Sequence, residues 1–568
     1  MYRSLLLLGF ALAMAGCAGL PQSGGGSANE SWAAMAPPRD PEADLIYQVL
    51  AGEMAGQMGD LEQSVGFYLQ AARLSEDPQV AERATRIAVY ANLPQAALEA
   101  AQRWVVLAPD NLDAQQTVGL LYVRNHQPEA AVPHFETVIE KTRDVQGGGF
   151  VLVGALLARD ADPEQAMETL HRLVELHPED PAGHYTLANV ALQAGDYSAA
   201  MAGAERALAL DPTMTDAKVV RARAMLGEGQ VEPALAEMTA LLREHPRNTD
   251  LRLAYARMLV QAKRYDKAMA EFERVVTARP GDADLLYTVS LLAIELDRYG
   301  AAEKYLLRLL DTGRHTNEAH YYLGRVAEHR HDYKMAIAWY VKVVDGEFAL
   351  DAQVRVSVML AKLGHLDKAR EHLGQLREQV DDAQTRVRLY LAEGQLLRDQ
   401  HQDQEAWDLY SRALLLYPGQ PDLLYARALT AESLDRVDLL EADLHTVLEH
   451  DPENASALNA LGYTLADRTD RYQEALGYIT RAYELRPDDP AILDSMGWVQ
   501  FRLGNYAEAE QYLRTAYEQF PDGEVAAHLV ELLWATDRQA EARKLYKSAH
   551  AKDPDNQVLD EVKGRLGL

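Results

Sequence analysis

The sequence contains a single cysteine, Cys17, among 568 residues. A lone cysteine can form no disulfide within the chain, so the fold is not held together by a disulfide framework. The apolar run nearest the N-terminus, Leu5 to Ala15, has eleven residues, and a membrane-spanning helix needs about 20. This run is therefore too short to cross a membrane.

An excess of basic residues is also missing, because 86 Asp and Glu outnumber 56 Lys and Arg and give a formal net charge of −30. Nucleic-acid binding depends on Lys and Arg that neutralise phosphates, so we expect no nucleic-acid partner. Two interpretations of the negative charge remain open. One is a solvated helical surface, and the other is an acidic groove for a basic partner.

Catalytic signatures are absent as well. The sequence has no G-x-S-x-G, no G-x-G-x-x-G, no Gly-Lys dipeptide of a phosphate-binding loop and no His-Glu dipeptide of an H-E-x-x-H helix. None of the 17 histidines has a second histidine three or four residues away, the spacing that two metal ligands on one helix face need. His329 and His331 are two apart and are typical of a solvated turn, with a metal site as the weaker alternative. We expect no enzyme, no metal, no cofactor and no small-molecule substrate.

The N-terminus has the pattern of an export signal. Arg3 precedes the short apolar run, and Met14-Ala15-Gly16-Cys17 resembles the lipobox cut by the lipoprotein signal peptidase. We expect residues 1–16 to be removed and Cys17 to carry lipid, which would use up the lone thiol. The alternative is an ordinary secretory signal with a chance cysteine. By the sorting rule of Gram-negative lipoproteins, Ala18 favours the outer membrane, facing the periplasm.

Residues 17–44 are predicted to be the lipidated cysteine and a flexible tether, because glycine, serine and proline there leave no periodicity. As a flexible coil, such a segment spans about 30 Å. From there on the sequence is periodic, and a proline recurs at intervals of 33 to 35 residues within two runs: Pro178, Pro212, Pro246 and Pro280, then Pro418, Pro452, Pro487, Pro521 and Pro554. A fixed period of 34 is typical of the tetratricopeptide repeat (TPR), a helix–turn–helix unit.

The residue types inside one period agree with this interpretation. With Pro490 as position 1, small residues occupy positions 8 and 20 (Gly497 and Ala509), where two helices would cross closely, and Leu513 fills position 24. Pro521, at position 32, cannot continue a helix and would begin the next turn. The sequence therefore predicts an all-α TPR solenoid that forms a right-handed superhelix. We expect about fifteen helical pairs over residues 45–556 and a capping helix over 557–568.

A binding groove is predicted from the repeat geometry. The TPR resemblance implies that positions 2, 5, 6, 9, 12 and 13 of each repeat line a groove, and Tyr, Trp and Arg are enriched at binding hot spots. The candidate partner-binding residues are Arg86, Arg223, Arg257, Arg325, Tyr287, Tyr321, Tyr322, Tyr425, Asn459, Tyr463, Trp498 and Phe501. The alternative is that these residues form internal ion pairs and packing contacts. Asn189 and Asn459 lack the partnering lysines of a carboxylate clamp, so we expect no chaperone tail.

The repeat register is loosest between Asp311 and Gln384. Asp311-Thr312-Gly313 and then Asp345-Gly346-Glu347 stand where a turn proline is expected. Sequence drift is one explanation for this departure. A hinge or a change of superhelical pitch is the other.

Two stretches carry a closer resemblance, AGEMAGQMGDLEQSVGFYLQAARLSEDPQVAERATRIAVYANLPQAALEAAQRWVVLAPDN and LNALGYTLADRTDRYQEALGYITRAYELRPDDPAILDSMGWVQFRLGNYAEAEQYLRTAYEQFPDGEVAAHLVELLWATDRQAEARKLY. With the lipobox, they resemble a family of proteobacterial TPR outer-membrane lipoproteins that includes the binding partner of a periplasmic carboxyl-terminal processing protease. The resemblance implies an adaptor that holds the protease and presents substrates such as peptidoglycan hydrolases. A scaffold for an envelope assembly, in polysaccharide export or in pilus and secretin biogenesis, is the alternative.

Overall fold

The computed structural model describes residues 40–143, 148–554 and 556–567. The predicted signal peptide, Cys17 and the tether as far as residue 39 lie outside the described residues. Within the described ranges the regular structure consists of helices, without a strand. The chain divides into two units, residues 1–271 and 272–568.

The first unit contains thirteen complete helices within its described residues. In chain order they are α1 (Pro41–Gln57), α2 (Leu61–Leu74), α3 (Pro78–Tyr90), α4 (Pro94–Leu107), α5 (Leu112–Arg124), α6 (Pro128–Lys141), α7 (Gly148–Asp160), α8 (Pro163–Leu176), α9 (Pro181–Gln193), α10 (Tyr197–Leu210), α11 (Thr215–Gly227), α12 (Val231–Glu244) and α13 (Thr249–Gln261). Helix α14 (Tyr265–Ala278) contains the point of division.

The second unit continues the same alternation of paired helices. In chain order they are α15 (Ala283–Glu295), α16 (Tyr299–Asp311), α17 (Thr316–His329), α18 (Tyr333–Tyr340), α19 (Ala349–Lys362), α20 (Leu366–Gln379), α21 (Ala383–Asp399), α22 (Asp403–Leu416), α23 (Pro421–Ser433), α24 (Val437–His450), α25 (Ala455–Arg468), α26 (Tyr472–Leu485), α27 (Pro490–Arg502), α28 (Tyr506–Gln519), α29 (Gly523–Ala535), α30 (Gln539–Lys552) and α31 (Gln557–Leu566).

One repeat of the second unit shows why the sequence forms a helical pair. Asp489 caps α27 by accepting a hydrogen bond from the Ala491 amide, and Pro490 occupies the first helical position, where its missing N–H costs nothing. Gly504 ends the turn to α28 with φ +83°, in the left-handed region that glycine tolerates. The two helices then fold back on each other, so the predicted TPR architecture is confirmed.

Small residues set the close approach of the two helices in that repeat. A Cβ added at Gly497 would lie 2.5 Å from Leu513 Cγ, closer than carbon atoms can approach. Ala509 and Leu513 are fully buried beside it. Because Gly497 has no side chain, Leu513 fills the space between α27 and α28.

Helices in the odd-numbered series also contact one another from repeat to repeat. In the second unit α23 packs against α25, α25 against α27, α27 against α29, and α29 against α31. The first helix of each pair therefore lies beside the first helix of the next. The first helices of the pairs, in both units, carry the residues that were predicted to bind a partner.

Two features depart from a uniform array. The helices begin at Pro41, before the boundary expected at residue 45, because Asp40 caps α1 and Pro41 starts it. Helix α18 has only eight residues, and the chain then turns until Phe348, with Gly346 at φ +83°. This turn lies where the sequence register is loosest, and the hinge interpretation stays a prediction.

Candidate functional site

No helix of the described ranges is long and apolar enough to cross a membrane. In the same residues, no three His, Cys, Asp or Glu side chains cluster in a way that could hold a metal ion.

Three of the predicted arginines lie in the first unit. Arg86, on α3, is exposed, and its guanidinium lies 2.5 Å from the carboxylate of Glu82 on the same helix. It borders a cavity of about 430 Å³ lined by α1, α2 and α3. Arg223 on α11 and Arg257 on α13 are exposed at the same position of successive first helices.

Three of the predicted tyrosines, Tyr287, Tyr321 and Tyr322, lie in one aromatic cluster of the second unit. Tyr287 stacks on His315, with ring centroids 5.1 Å apart, and lies 6.1 Å from Tyr322. Tyr321 stacks on Phe348 at 4.5 Å and is only 5% exposed. Most of the Tyr321 ring is thus used for packing.

The remaining predicted residues follow the row of first helices. Arg325 is exposed on α17, and Tyr425 on α23 is half-buried against the core of its repeat. Asn459 on α25 has a buried side-chain oxygen without a hydrogen-bond partner in the described structure. Tyr463 and Trp498, on α25 and α27, are brought together at one cavity.

That cavity, here called the C-terminal cavity, has a volume of about 670 Å³ and is lined by α23, α25, α27, α29 and α31. Tyr463, Trp498 and Phe501 form its aromatic wall. Trp498 is 4% exposed and stacks between two rings, His528 at 4.2 Å and Phe501 at 5.2 Å. The volume lies within the range of about 300–1,000 Å³ that is usual for binding pockets.

A network of buried hydrogen bonds fixes one side of the C-terminal cavity. His528 donates from Nδ1 to the carboxylate of Asp494 at 2.9 Å, and its Nε2 lies 3.4 Å from the hydroxyl of Tyr463. The Tyr463 hydroxyl donates to Glu524 at 2.7 Å. Burial disfavours the charged imidazole, but the carboxylate of Asp494 outweighs this effect, and the pKa of His528 is raised above its usual value. These hydrogen bonds connect α25, α27 and α29.

The arginines of the C-terminal cavity are bonded internally. Arg565 pairs with Glu531, and Arg468 pairs with Asp467 at 3.1 Å. Arg502 donates to the backbone carbonyl of Asp467 at 3.1 Å, and its other amino group donates to the hydroxyl of Tyr472 at 2.7 Å. Arg502 also lies 4.0 Å from the carboxylate of Asp467, so Arg468 and Arg502 share one acidic partner.

Three other carboxylates at the same cavity have no ion-pair partner of their own. Glu432, Glu524 and Glu561 form no ion pair within the described part of the chain. Glu432 accepts a hydrogen bond from the hydroxyl of Thr464 at 2.9 Å. Burial raises the pKa of Glu432, and the hydrogen bond from Thr464 together with the positive charge of Arg468 offsets only part of this rise. The site thus has carboxylates beside aromatic rings, with Arg468 and His528 as the nearest positive charges to Glu432 and Glu524.

The candidate residues chosen from the sequence omitted the charged half of this cavity. Glu432, Glu524, His528 and Glu531 occupy positions 12, 2, 6 and 9 of their repeats, all within the set that was expected to line a groove. They were missed because candidates were selected by residue type, for Tyr, Trp and Arg. The repeat positions of these four residues would have identified them as groove residues from the sequence.

Comparisons with protein-family models agree with the fold. Tetratricopeptide repeat family models match residues 156–226, 191–258, 225–289, 259–326, 468–533 and 500–566, and a second such model matches residues 425–490. The crystal structure of yeast Tom70 aligns with 74% of this chain and 96% of its own length, at 18% identity and a TM-score of 0.37.

Two curated proteins are similar in sequence. A TPR repeat-containing protein of Pseudomonas aeruginosa is 40% identical over 492 residues, which cover 86% of this chain and 82% of that protein. A TPR repeat-containing protein of Bacillus subtilis is 25% identical over 37% of this chain and 49% of its own length. The chain belongs to the tetratricopeptide repeat proteins, a family of helical scaffolds that bind other proteins.

Proposed function

We propose that this chain is a lipid-anchored outer-membrane adaptor that faces the periplasm. It would bind a carboxyl-terminal processing protease and present protein substrates such as peptidoglycan hydrolases to it. The chain itself would carry out no chemistry.

The C-terminal cavity is the observation that carries the binding role. Its polar wall joins α25, α27 and α29 through Tyr463, His528 and Asp494, so the surface is held in shape before a partner arrives. A preformed site loses less conformational entropy on binding than a flexible one. Carboxylates beside aromatic rings supply polar and apolar contacts together, as protein interfaces do.

The anchoring role is supported by the sequence around Cys17. A lone cysteine in an exported protein would be a reactive liability unless it were modified, and Met14-Ala15-Gly16 precede it as in a lipobox. One acyl chain gives only marginal membrane binding, whereas several hold a protein firmly. A triacylated Cys17 would keep the helical array at the membrane surface.

Co-purification tests the adaptor role. The chain would be expressed with a C-terminal tag in its own host, cross-linked in cells, solubilised in detergent and captured. We expect a carboxyl-terminal processing protease and at least one peptidoglycan hydrolase among the enriched proteins. Enrichment of export or secretin components without the protease would instead support the envelope-assembly scaffold and would contradict the adaptor role.

A Cys17→Ser variant tests the anchor separately. We expect it to be found in the soluble periplasmic fraction without lipid, whereas the parent chain fractionates with outer membranes. An Ala18→Asp variant is the matched control, because it keeps the lipidation site and should move the chain to the inner membrane. A Cys17→Ser chain that stayed in the outer membrane would rule out lipid anchoring.

A further inference from the structure

The outer face of helix α1 is apolar and exposed. Ile46, Leu50 and Met54 recur every four residues along this face, Tyr47 lies beside them, and all four are more than half exposed. The opposite side of α1 packs against α2, so the helix is apolar nearly all round. A helix of this kind is normally covered on every side, and exposed apolar patches usually mark a contact surface. The outer face of α1 therefore calls for a covering element.

The equivalent face of a later first helix is covered by the second helix of the preceding repeat. Counted from the proline that starts each helix, Tyr47 and Leu50 of α1 correspond to Leu187 and Val190 of α9. Leu187 and Val190 are 7% and 3% exposed and share an apolar core with residues of α8, whereas Tyr47 and Leu50 are 58% and 59% exposed. The outer face of α1 is thus a stacking face that has no preceding helix within the described residues.

The sequence immediately before α1 has the spacing of an internal connection between repeats. Pro38 lies three residues before Pro41. The same Pro-x-x-Pro spacing precedes α9, α23 and α27, where it begins at Pro178, Pro418 and Pro487. In each of those three connections a second helix ends two residues before the first proline. The equivalent end before α1 is Ala36, and Pro37 would stop a helix there.

We propose that residues 28–36 form a half-repeat helix that covers the outer face of α1. Ser27 and Glu30 have the S-x-x-E spacing of an N-terminal capping box. Trp32 to Ala36 are five consecutive apolar residues, so every side of the last turns could pack against α1. The helix would be about 13 Å long and would run antiparallel to α1, whose apolar face extends over about 12 Å. The two lengths match.

Attachment favours this segment over a second copy of the chain or another protein. Only four residues, Pro37 to Asp40, would separate the helix from α1, and a linker this short gives an effective concentration in the millimolar range. Docking would shorten the free tether to residues 18–26, with a reach of about 17 Å, and would hold the helical array closer to the membrane. The inference rests on the proposed function only in this last consequence, because the docking itself requires no lipid.

Photo-crosslinking from the outer face of α1 tests the docking. Benzoylphenylalanine replaces Leu50 in the full chain, which is expressed in its own host, irradiated in cells and captured through a C-terminal tag. Trypsin cuts after Arg39 and Arg73, so it separates the N-terminal segment from the peptide that contains α1. We expect an intrachain cross-link, at the mass of a monomer, that keeps these two peptides joined. The same replacement at Leu415, an exposed leucine of α22, is the control and should not join them.

Two pairs of substitutions test which residues dock. Trp32→Ser with Met35→Ser removes the large side chains of the segment and should lower the yield of the cross-link about five-fold. In chains without the photoreactive residue, the same pair should make the α1 amides exchange hydrogen about five-fold faster than in the parent. Leu20→Ser with Pro21→Ser is the matched control, because it changes two apolar residues of the remaining tether. We expect both readouts to stay within about two-fold of the parent.

The other possible occupants give different products. A cross-linked dimer would assign the outer face of α1 to a second copy and overturn the proposal, and so would cross-links from position 50 to lipid or to another protein. A yield no higher than at the control position, with equal α1 exchange in the two pairs of variants, would show that the face is uncovered. Failure of the fractionation or protease-capture experiments would contradict the proposed function and leave the docking intact.

Discussion

Gly497 offers the sharpest test of the packing described above. An alanine there would place its Cβ 2.5 Å from Leu513 Cγ and 3.1 Å from the backbone nitrogen of Leu513. Leu513 is fully buried, so the two helices must separate or Leu513 must leave its rotamer. Overpacking of this kind costs about 1–3 kcal/mol, whereas replacing glycine by alanine within a helix stabilises it by about 0.5–1 kcal/mol.

Gly477 is the matched control for that substitution. It lies in the neighbouring helix α26, and an added Cβ would meet no atom within 4 Å. Both substitutions gain the same helix propensity, so the difference between them isolates the steric cost. We expect Gly477→Ala to be stabilised by about 0.5–1 kcal/mol and Gly497→Ala to be less stable than Gly477→Ala by about 1–3 kcal/mol.

Local measurements are needed because repeat arrays unfold in parts. Urea midpoints of the full chain should be combined with native-state hydrogen exchange of the α27 and α28 amides. We expect faster exchange in these two helices for Gly497→Ala and slower exchange in α26 for Gly477→Ala. If the two variants differ by less than about 0.5 kcal/mol, the close approach of α27 and α28 is not as described.

Three further predictions concern single contacts. Asp489→Ala removes the N-cap of α27 and should cost about 1 kcal/mol, seen as faster exchange at the start of that helix; Asp489→Asn should restore most of it. Tyr340→Phe removes a hydroxyl that donates to Glu328 at 2.7 Å and should lower the urea midpoint by the equivalent of about 1 kcal/mol; an unchanged midpoint would contradict this contribution. Because the pKa of His528 is raised in the fold, its pairing with Asp494 contributes stability that is complete below about pH 6.5 and is lost as pH rises through the folded value. The protection of α29 amides should therefore fall toward alkaline pH in the parent chain and change little in His528→Gln.

The fold was readable from the sequence because its signals are local and repeated. Each signal acts within one repeat: Pro490 at the first helical position, Gly497 where the helices cross and Gly504 at the turn. The same signals recur with the period, and this recurrence makes the prediction stronger. Periodicity does not predict the start of α1, because that start is marked by a single N-cap residue and not by a repeated pattern. Asp40-Pro41 is the same capping signal as Asp489-Pro490, but no complete repeat precedes it.

The shortened helix α18 could not be predicted in this way. The residues after Tyr340 are apolar enough to continue a helix, and Val343 is buried in the core of its repeat although it lies in the turn. Packing of that side chain against the neighbouring repeat overrides the local preference. A contact of this kind has no signature within a single period.

For the candidate site, the sequence predicts which repeat positions line the groove. It does not predict which of those side chains pair with one another. Glu531 and Arg565 occupy position 9 of consecutive first helices and compensate each other, so a groove charge can be neutralised by the equivalent residue of the next repeat. Glu524 has Val558 at the equivalent position, and no charge is available there. Comparing each groove charge with its equivalents in adjacent repeats would therefore have singled out Glu524 from the sequence. What the comparison cannot supply is the hydrogen bond from Tyr463, which holds that carboxylate at the cavity and requires the three-dimensional packing of α25 against α29.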